Sequence, residues 1–247
     1  MCGGGAGRLG VGVLDGIDHP CHTGGPARLA AAGIEVLSGV QAAAVTVGPL
    51  REWLHKQRTG LPHVTWKYAT SIDGRSAAAD GSSQWITSEA ARADLHRRRA
   101  AADAIVVGTG TVLVDDPTLT ARLPDGTLAD RQPLRVVVGE REISADAQVL
   151  NDDSRTMVIR THDPAEVLRA LSDRTDVLLE GGPTLAGAFL RAGAIDRILA
   201  YVAPILLGGP ITAVDDVGVS SIARALRWRF DTVEPIGPDL LLSLVPH

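Results

Sequence analysis

The chain has 247 residues, 45% hydrophobic, 21% charged and only 3% aromatic, a globular composition whose core must be aliphatic and alanine-rich. A formal net charge of -5 without a broad basic patch argues against nucleic-acid binding, and no run approaches the about 20 apolar residues of a membrane span. Two cysteines, Cys2 and Cys21, make no disulfide framework, and the N-terminus lacks signal-peptide order, so the expected address is the cytoplasm.

Residues 1–60 read as a small β-α-β piece, too small alone to bury a convincing core. Leu9 to Leu14 has strand character, Gly24 to Ala32 is helix-compatible with a stop at Gly33, and Ile34 to Leu37 is a second short strand. The pattern then predicts one helix over Ala42 to Lys56 and a linker from Arg58 to Pro62.

From His63 onward strands and helices alternate. Strands are expected over 63–69, 104–107, 134–138, 156–160, 177–179, 197–204, 230–236 and 240–245. Helices are expected over 88–101, 164–171 and 184–192, the first capped by Ser88 with Glu89 in its first turn. This order implies an α/β fold with a largely parallel sheet. The short Gly237-Pro238-Asp239 connection implies an antiparallel hairpin at one edge.

Four segments could carry chemistry. In Leu179-Glu-Gly-Gly-Pro-Thr-Leu-Ala-Gly187 a buried strand runs through two glycines into a helix, so free N–H groups could meet a phosphate, with Glu180 at the strand's carboxyl end. The bland alternative is a tight turn with a solvated glutamate, and the G-x-G-x-x-G fingerprint is missing. Gly108 to Pro117 is glycine-rich backbone ending in Asp115-Asp116, a metal-binding or acid–base pair or, more commonly for adjacent carboxylates before proline, a turn. The polar run Gly81 to Ser88 holds Trp85, a stacking platform or a loop anchor. His19-Pro-Cys-His22 invites a zinc reading, but a zinc deaminase needs His-x-Glu and Pro-Cys-x-x-Cys, and neither occurs, so no metal is expected.

Together, Lys67-Tyr-Ala-Thr-Ser-Ile-Asp-Gly-Arg75, Ser83-Gln-Trp-Ile-Thr-Ser88, Gly110 to Thr120, Gln132-Pro-Leu-Arg135, Glu180-Gly-Gly-Pro-Thr184, Ala203 to Gly209 and Ile236-Gly-Pro-Asp239 resemble, in order and spacing, the reductase of riboflavin biosynthesis. The resemblance covers about residues 60–247. It implies a dihydrofolate-reductase-like α/β fold, a mixed, mostly parallel sheet flanked by helices and preceded by a partial β-α-β fragment. It also implies NADPH as cofactor, 5-amino-6-(5-phosphoribosylamino)uracil as the small-molecule substrate and a homodimer. Residues 8–48 resemble the tail of the zinc-dependent deaminase that precedes the reductase in the bifunctional relatives. The expected division is therefore a deaminase-like remnant over 1–58, lacking the zinc site and the activity, and a reductase domain over 59–247.

Carried over position by position, Ala69, Trp85, Thr111 and Asp115 resemble cofactor contacts, and Gly182, Pro183, Thr184, Leu185, Ala186, Gly187 and Ala188 resemble the phosphate cradle. Ser83, Arg99, Leu119, Arg122 and Glu180 resemble substrate contacts, the arginines as partners of the sugar phosphate. By periodicity alone Arg99 would be a solvated helix charge. Hydride delivery to ribose C1 needs a proton for the departing ring oxygen, with Glu180 and Asp115 ranked above Lys67 as donors or orienters. The rival readings are a related NADPH-dependent reductase of another pyrimidine or pteridine, and a non-catalytic nucleotide-binding scaffold.

Overall fold

The computed structural model describes residues 8–11 and 25–247. The chain forms two compact units, Met1–Gly60 and Leu61–His247. His19, Cys21, His22 and Cys2 lie outside the described residues.

In the first unit, β1 (Arg8–Val11) pairs in parallel with β2 (Glu35–Ser38), and α1 (Gly25–Ala31) lies between them in sequence. The single helix expected over 42–56 is instead two, α2 (Ala42–Val47) and α3 (Arg51–Thr59). The break falls at Gly48-Pro49. Proline offers no N–H and pushes the residue before it out of helical geometry, and Gly48 sits at φ -108, ψ -114. The expected linker is also shorter, since α3 runs to Thr59 and stops at Gly60 in the left-handed conformation.

The second unit is built on one eight-stranded sheet of order β6-β5-β4-β7-β3-β8-β10-β9. Its parallel part is β6 (Thr156–Ile159), β5 (Leu134–Val138), β4 (Ala104–Gly108), β7 (Asp176–Leu179), β3 (His63–Ser71) and β8 (Arg197–Ala203). β10 (Asp239–Pro246) is antiparallel to β8 and to the edge strand β9 (Trp228–Ile236), joined through Gly237-Pro238 as the sequence led us to expect.

Both faces of the central strands are covered, so Ile105, Val106, Val107, Val136 and Val137 are fully buried in an unbroken apolar run. Alternation sorts these side chains into two layers. One holds Val64, Trp66, Val106, Val136 and Leu179 with Val167 of α6 (Pro164–Ala170) and Phe189 of α7 (Pro183–Arg191). The other holds Ile105, Val107, Val137 and Leu178 with Leu95 of α4 (Glu89–Ala101) and Val112 of α5 (Thr109–Asp115). Each fully buried Val, Leu or Ile contributes roughly 1.5–3 kcal/mol relative to exposure.

The helix α5 is a correction to the sequence reading, which left 108–117 as glycine-rich backbone and a turn. Thr109 and Val112 share one face at helical spacing and are buried, which overrides the glycine. The chain leaves β4 toward β5 and leaves β7 toward β8, so connections diverge at the β4–β7 pair. Such a divergence opens a crevice beyond the carboxyl ends of the strands.

Candidate active site

Strand register dictates what meets in that crevice. Trp66 lies opposite Leu179 and both turn into the first layer, so Lys67 and Glu180, next along, turn together toward α4. There Arg99 grips Glu180 through two parallel bonds, Nε to Oε1 and Nη2 to Oε2, each 2.8 Å. Its remaining nitrogen, Nη1, donates to the Thr120 carbonyl at 3.1 Å. The Arg99 side chain is 14% exposed and that of Glu180 7%, so the pair is shielded from screening. Arg99 is thus no solvated helix charge; its fork is taken up by Glu180.

The protonation states follow. Burial pushes the Glu180 carboxyl up, but the facing Arg99 and Lys67 outweigh it and the net shift is downward. Glu180 is a carboxylate at neutral pH. Burial lowers the Lys67 ammonium below its usual value; Glu180 resists that shift and Arg99 adds to it. Lys67 is the group in the cluster whose proton has been made easier to give. One turn before Arg99, His96 is lowered by burial and by Arg99, and its Nδ1 is buried without a partner. It is a neutral imidazole beside the ion pair, missed in the sequence although its i to i+3 spacing from Arg99 put both on one helix face.

The helix that presents these groups is tied down at its start and along its length. Ser88 caps its first turn, and Asp239 of the hairpin accepts from the Ser88 N–H at 2.7 Å. Further along, Tyr201 Oη donates to Asp94 at 2.5 Å, and Arg98 Nε donates to Asp94 at 2.7 Å and to Tyr201 Oη at 2.9 Å. Lys67 Nζ stands 5.8 Å from the centre of the Tyr201 ring.

Beside this cluster the backbone is bare. Gly181 and Gly182 lead into α7 with Pro183 in its first turn. A methyl added at Gly181 would come within 2.6 Å of the Leu185 side chain, and one at Gly182 would stand 3.7 Å from Thr111 Oγ1. The β7 turn and the start of α5 therefore face each other across glycines. The free N–H groups of the α7 start and the positive end of its dipole suit an anion. Ala186 and Gly187 are buried in helix packing, whereas Gly182 to Leu185 and Ala188 are at least partly exposed.

The other expected positions surround this crevice unevenly. Ala69, half-buried, lies opposite Tyr201 on β3. Trp85 is 68% exposed, its ring covered on one face by Arg92 at 4.5 Å. Ser83 is half-buried in the same loop. Leu119 has φ 54 and a buried side chain, so it can meet a ligand only through its backbone. Arg122 is half-buried, bonds only the Gly126 carbonyl, and has no acidic partner among the described residues. The Asp115-Asp116 pair separates: Asp116 accepts from Gln148 N at 2.8 Å, while Asp115 ends α5 with its carboxyl raised by partial loss of hydration. Among the described residues no group of His, Cys, Asp and Glu side chains is arranged to hold a metal ion.

Two further ties hold the loops. Asp73 accepts from Ser71 Oγ at 2.5 Å and from the N–H groups of Gly208 and Leu207 at 2.8 and 3.2 Å, which together hold its carboxyl down at about 2. The buried Arg135 guanidinium bonds the carbonyls of Thr118 at 3.2 Å, Asn151 at 2.5 Å and Ser154, fixing the loop that carries Leu119 and Thr120.

A mostly parallel sheet whose connections diverge between β4 and β7, with a largely shielded Lys–Glu–Arg cluster next to the Gly181-Gly182 turn, defines an α/β fold of the class whose ligand sites form at the carboxyl edge. Residues 62–242 match the RibD C-terminal domain, and the chain belongs to that family. The riboflavin biosynthesis protein RibD of Mycobacterium tuberculosis is 82% identical over 222 residues, covering 90% of this chain and 66% of that protein. The chain thus spans about two thirds of the length of this curated relative. An Acinetobacter baumannii RibD structure superposes with a TM-score of 0.78 at 33% identity, covering 92% of this chain and 70% of its own. A Thermotoga maritima diaminohydroxyphosphoribosylaminopyrimidine deaminase/5-amino-6-(5-phosphoribosylamino)uracil reductase reaches 0.83 at 26% identity, covering 98% and 72%.

Proposed function

We propose that this chain reduces the ribosyl group of 5-amino-6-(5-phosphoribosylamino)uracil to ribityl, with NADPH as reductant. The observation that carries this reading is the buried Arg99–Glu180–Lys67 cluster set beside the bare glycine turn at 181–182. A carboxylate held ionised next to a lysine eased toward giving up its proton suits a reaction that adds hydride at one atom and a proton at another. The relative's paired activities in T. maritima supply the substrate by likeness.

The cofactor, when bound, supplies hydride to C1 of the opened ribose. The residues that would hold it are the Gly182 to Thr184 turn for its phosphates, with Thr111 facing that turn, together with Ala69 and Trp85. Arg99 orients Glu180, which is then free to accept hydrogen bonds from the substrate with its remaining lone pairs. Lys67 gives a proton to the departing ring oxygen, which becomes a hydroxyl. This reverses the order taken from the sequence, since an ionised Glu180 has no proton to give. Arg122, without an acidic partner among the described residues, is the guanidinium available to the sugar phosphate.

The same reading gives a homodimer and a cytoplasmic protein. The edge strand β9 leaves Phe230 61% and Val233 52% exposed, a surface that pairing of two copies would cover. No helix among the described residues is long and apolar enough to cross a membrane. Deaminase chemistry is not assigned to this chain, whose sequence holds no His-x-Glu and no Pro-Cys-x-x-Cys.

The direct test is NADPH absorbance with purified chain and the deaminated phosphoribosylaminopyrimidine. Oxidation that depends on the pyrimidine is expected. NADPH binding without any pyrimidine-dependent oxidation would remove the proposal.

A further inference from the structure

We infer that Arg141 is the residue that distinguishes NADPH from NADH, by receiving the phosphate on the adenosine ribose. The inference rests on the cofactor reading above and goes beyond it, since nothing so far assigns that phosphate a partner.

The starting point is direction along the carboxyl edge. The reducing end of the cofactor must lie near Lys67 and Glu180, on β3 and β7, and its pyrophosphate at the Gly182 turn beyond β7. The adenosine half then has one way to continue, away from β3 and over β4 toward β5, because the strand order is β5-β4-β7-β3. Two strand spacings separate β7 from β5, roughly 10 Å, a span within reach of the adenosine half of a dinucleotide.

Contacts along that path are continuous and lined by glycine. Gly182 faces Thr111 Oγ1, Gly110 precedes Thr111, and Gly139 at the end of β5 packs on Thr109, where an added methyl would stand 2.6 Å from Oγ1. Over Gly110 lies the guanidinium of Arg141: a methyl there would be 2.7 Å from its Nη2. Arg141 is exposed, and among the described residues no carboxylate is within ion-pairing distance of it. It is a free fork at the far end of the path, and a guanidinium fork fits a phosphate in two-point geometry.

Its neighbours argue for the same assignment. An acidic side chain at this position of a strand end would favour a plain ribose hydroxyl and repel a phosphate. Glu140 and Glu142 both flank Arg141, yet they are drawn to the other side. Glu140 stands 3.9 Å from His162 and Glu142 3.8 Å from Arg160, both beyond β6, and Arg160 also donates to the Glu140 carbonyl at 3.3 Å. The acids are turned toward β6 and the free cation toward β4.

Titration calorimetry of the full chain with NADP+ and with NAD+ tests this without turnover. Wild type should bind NADP+ more tightly. Arg141→Ala should weaken NADP+ about ten- to a hundredfold, the range for a charge-assisted contact, and leave NAD+ within about twofold. Arg141→Lys should fall between, because it keeps the charge and loses the fork. Adenosine 2',5'-bisphosphate against ADP should repeat the pattern on fragments that lack the nicotinamide. Equal weakening of both dinucleotides, or none, would overturn the inference. Equal affinity of wild type for both would do so as well while leaving the reductase reading standing. Binding of neither dinucleotide by wild type would instead sink the cofactor reading on which both depend.

Discussion

Arg99→Met is the substitution that asks most of this structure. It keeps the side chain's bulk and removes the nearer of the two cations facing Glu180, leaving a carboxylate with a 7% exposed side chain and without its two 2.8 Å donors. Removing one partner of a buried ion pair costs on the order of 3–5 kcal/mol, because the remaining charge loses the donors that offset its desolvation. Thermal unfolding by circular dichroism should fall by roughly 6–20 °C at neutral pH, using about 2–4 °C per kcal/mol for a chain of this size. The sign with pH follows from the same charge. In wild type the Glu180 pKa is depressed, so its stabilisation is present above the unfolded value near 4.3 and is lost only as pH falls through the lower folded value. In Arg99→Met the folded pKa should rise, so the deficit relative to wild type is greatest at neutral pH and shrinks as pH drops. Adding Glu180→Leu should recover much of the loss, since two apolar residues need no pairing. A single variant no less stable than a surface substitution, within about 0.5 kcal/mol, would refute the reasoning.

Lys67→Met should lower kcat by about a hundred- to ten-thousandfold if Lys67 is the proton donor. The basic limb of the wild-type profile should then fall below the ordinary lysine range and move to higher pH in Lys67→Arg; an unmoved limb counts against Lys67. Arg122→Ala should weaken kcat/KM roughly ten- to a hundredfold on the phosphorylated substrate. It should matter far less on the dephosphorylated one, and simple additivity of the two losses would mean that Arg122 does not read the phosphate. Asp73→Asn should speed amide exchange at Leu207 and Gly208, whose N–H groups it accepts; in wild type that hold should persist until pH drops to about 2. Ammonia should not be released from the diaminopyrimidine precursor by this chain, and a measured release would return the deaminase to it.

What the sequence made legible was whatever rests on short-range pattern. Alternation and glycine breaks located every strand of the second unit, and the Leu179 to Gly187 run marked the turn at the head of α7. The misses have local causes too: Gly48-Pro49 splits a helix that periodicity alone ran through, and Gly110 masked α5 because glycine weighs against helix while the burial of Thr109 and Val112 decides for it. The site itself was readable only in pieces. Glu180 and Arg99 are 81 residues apart, and only the β3–β7 register and the seating of α4 bring them together, which turned an expected phosphate ligand into the partner of a carboxylate. That pairing favours an ionised Glu180, which is why the proposed donor is Lys67 where the sequence had ranked Glu180 and Asp115 first. Arg141 carried no signal at all in the sequence, since nothing local marks an exposed arginine that folds back over a glycine on another element.

The central claim is hydride delivery to the ribose carbon on this scaffold. It is tested most directly by one turnover with NADPH deuterated at the transferable position of the nicotinamide, followed by mass spectrometry and NMR of the pyrimidine product. One deuterium on C1 of a ribityl chain is the expected result. A product without deuterium, or with it at any other carbon, would contradict the assignment.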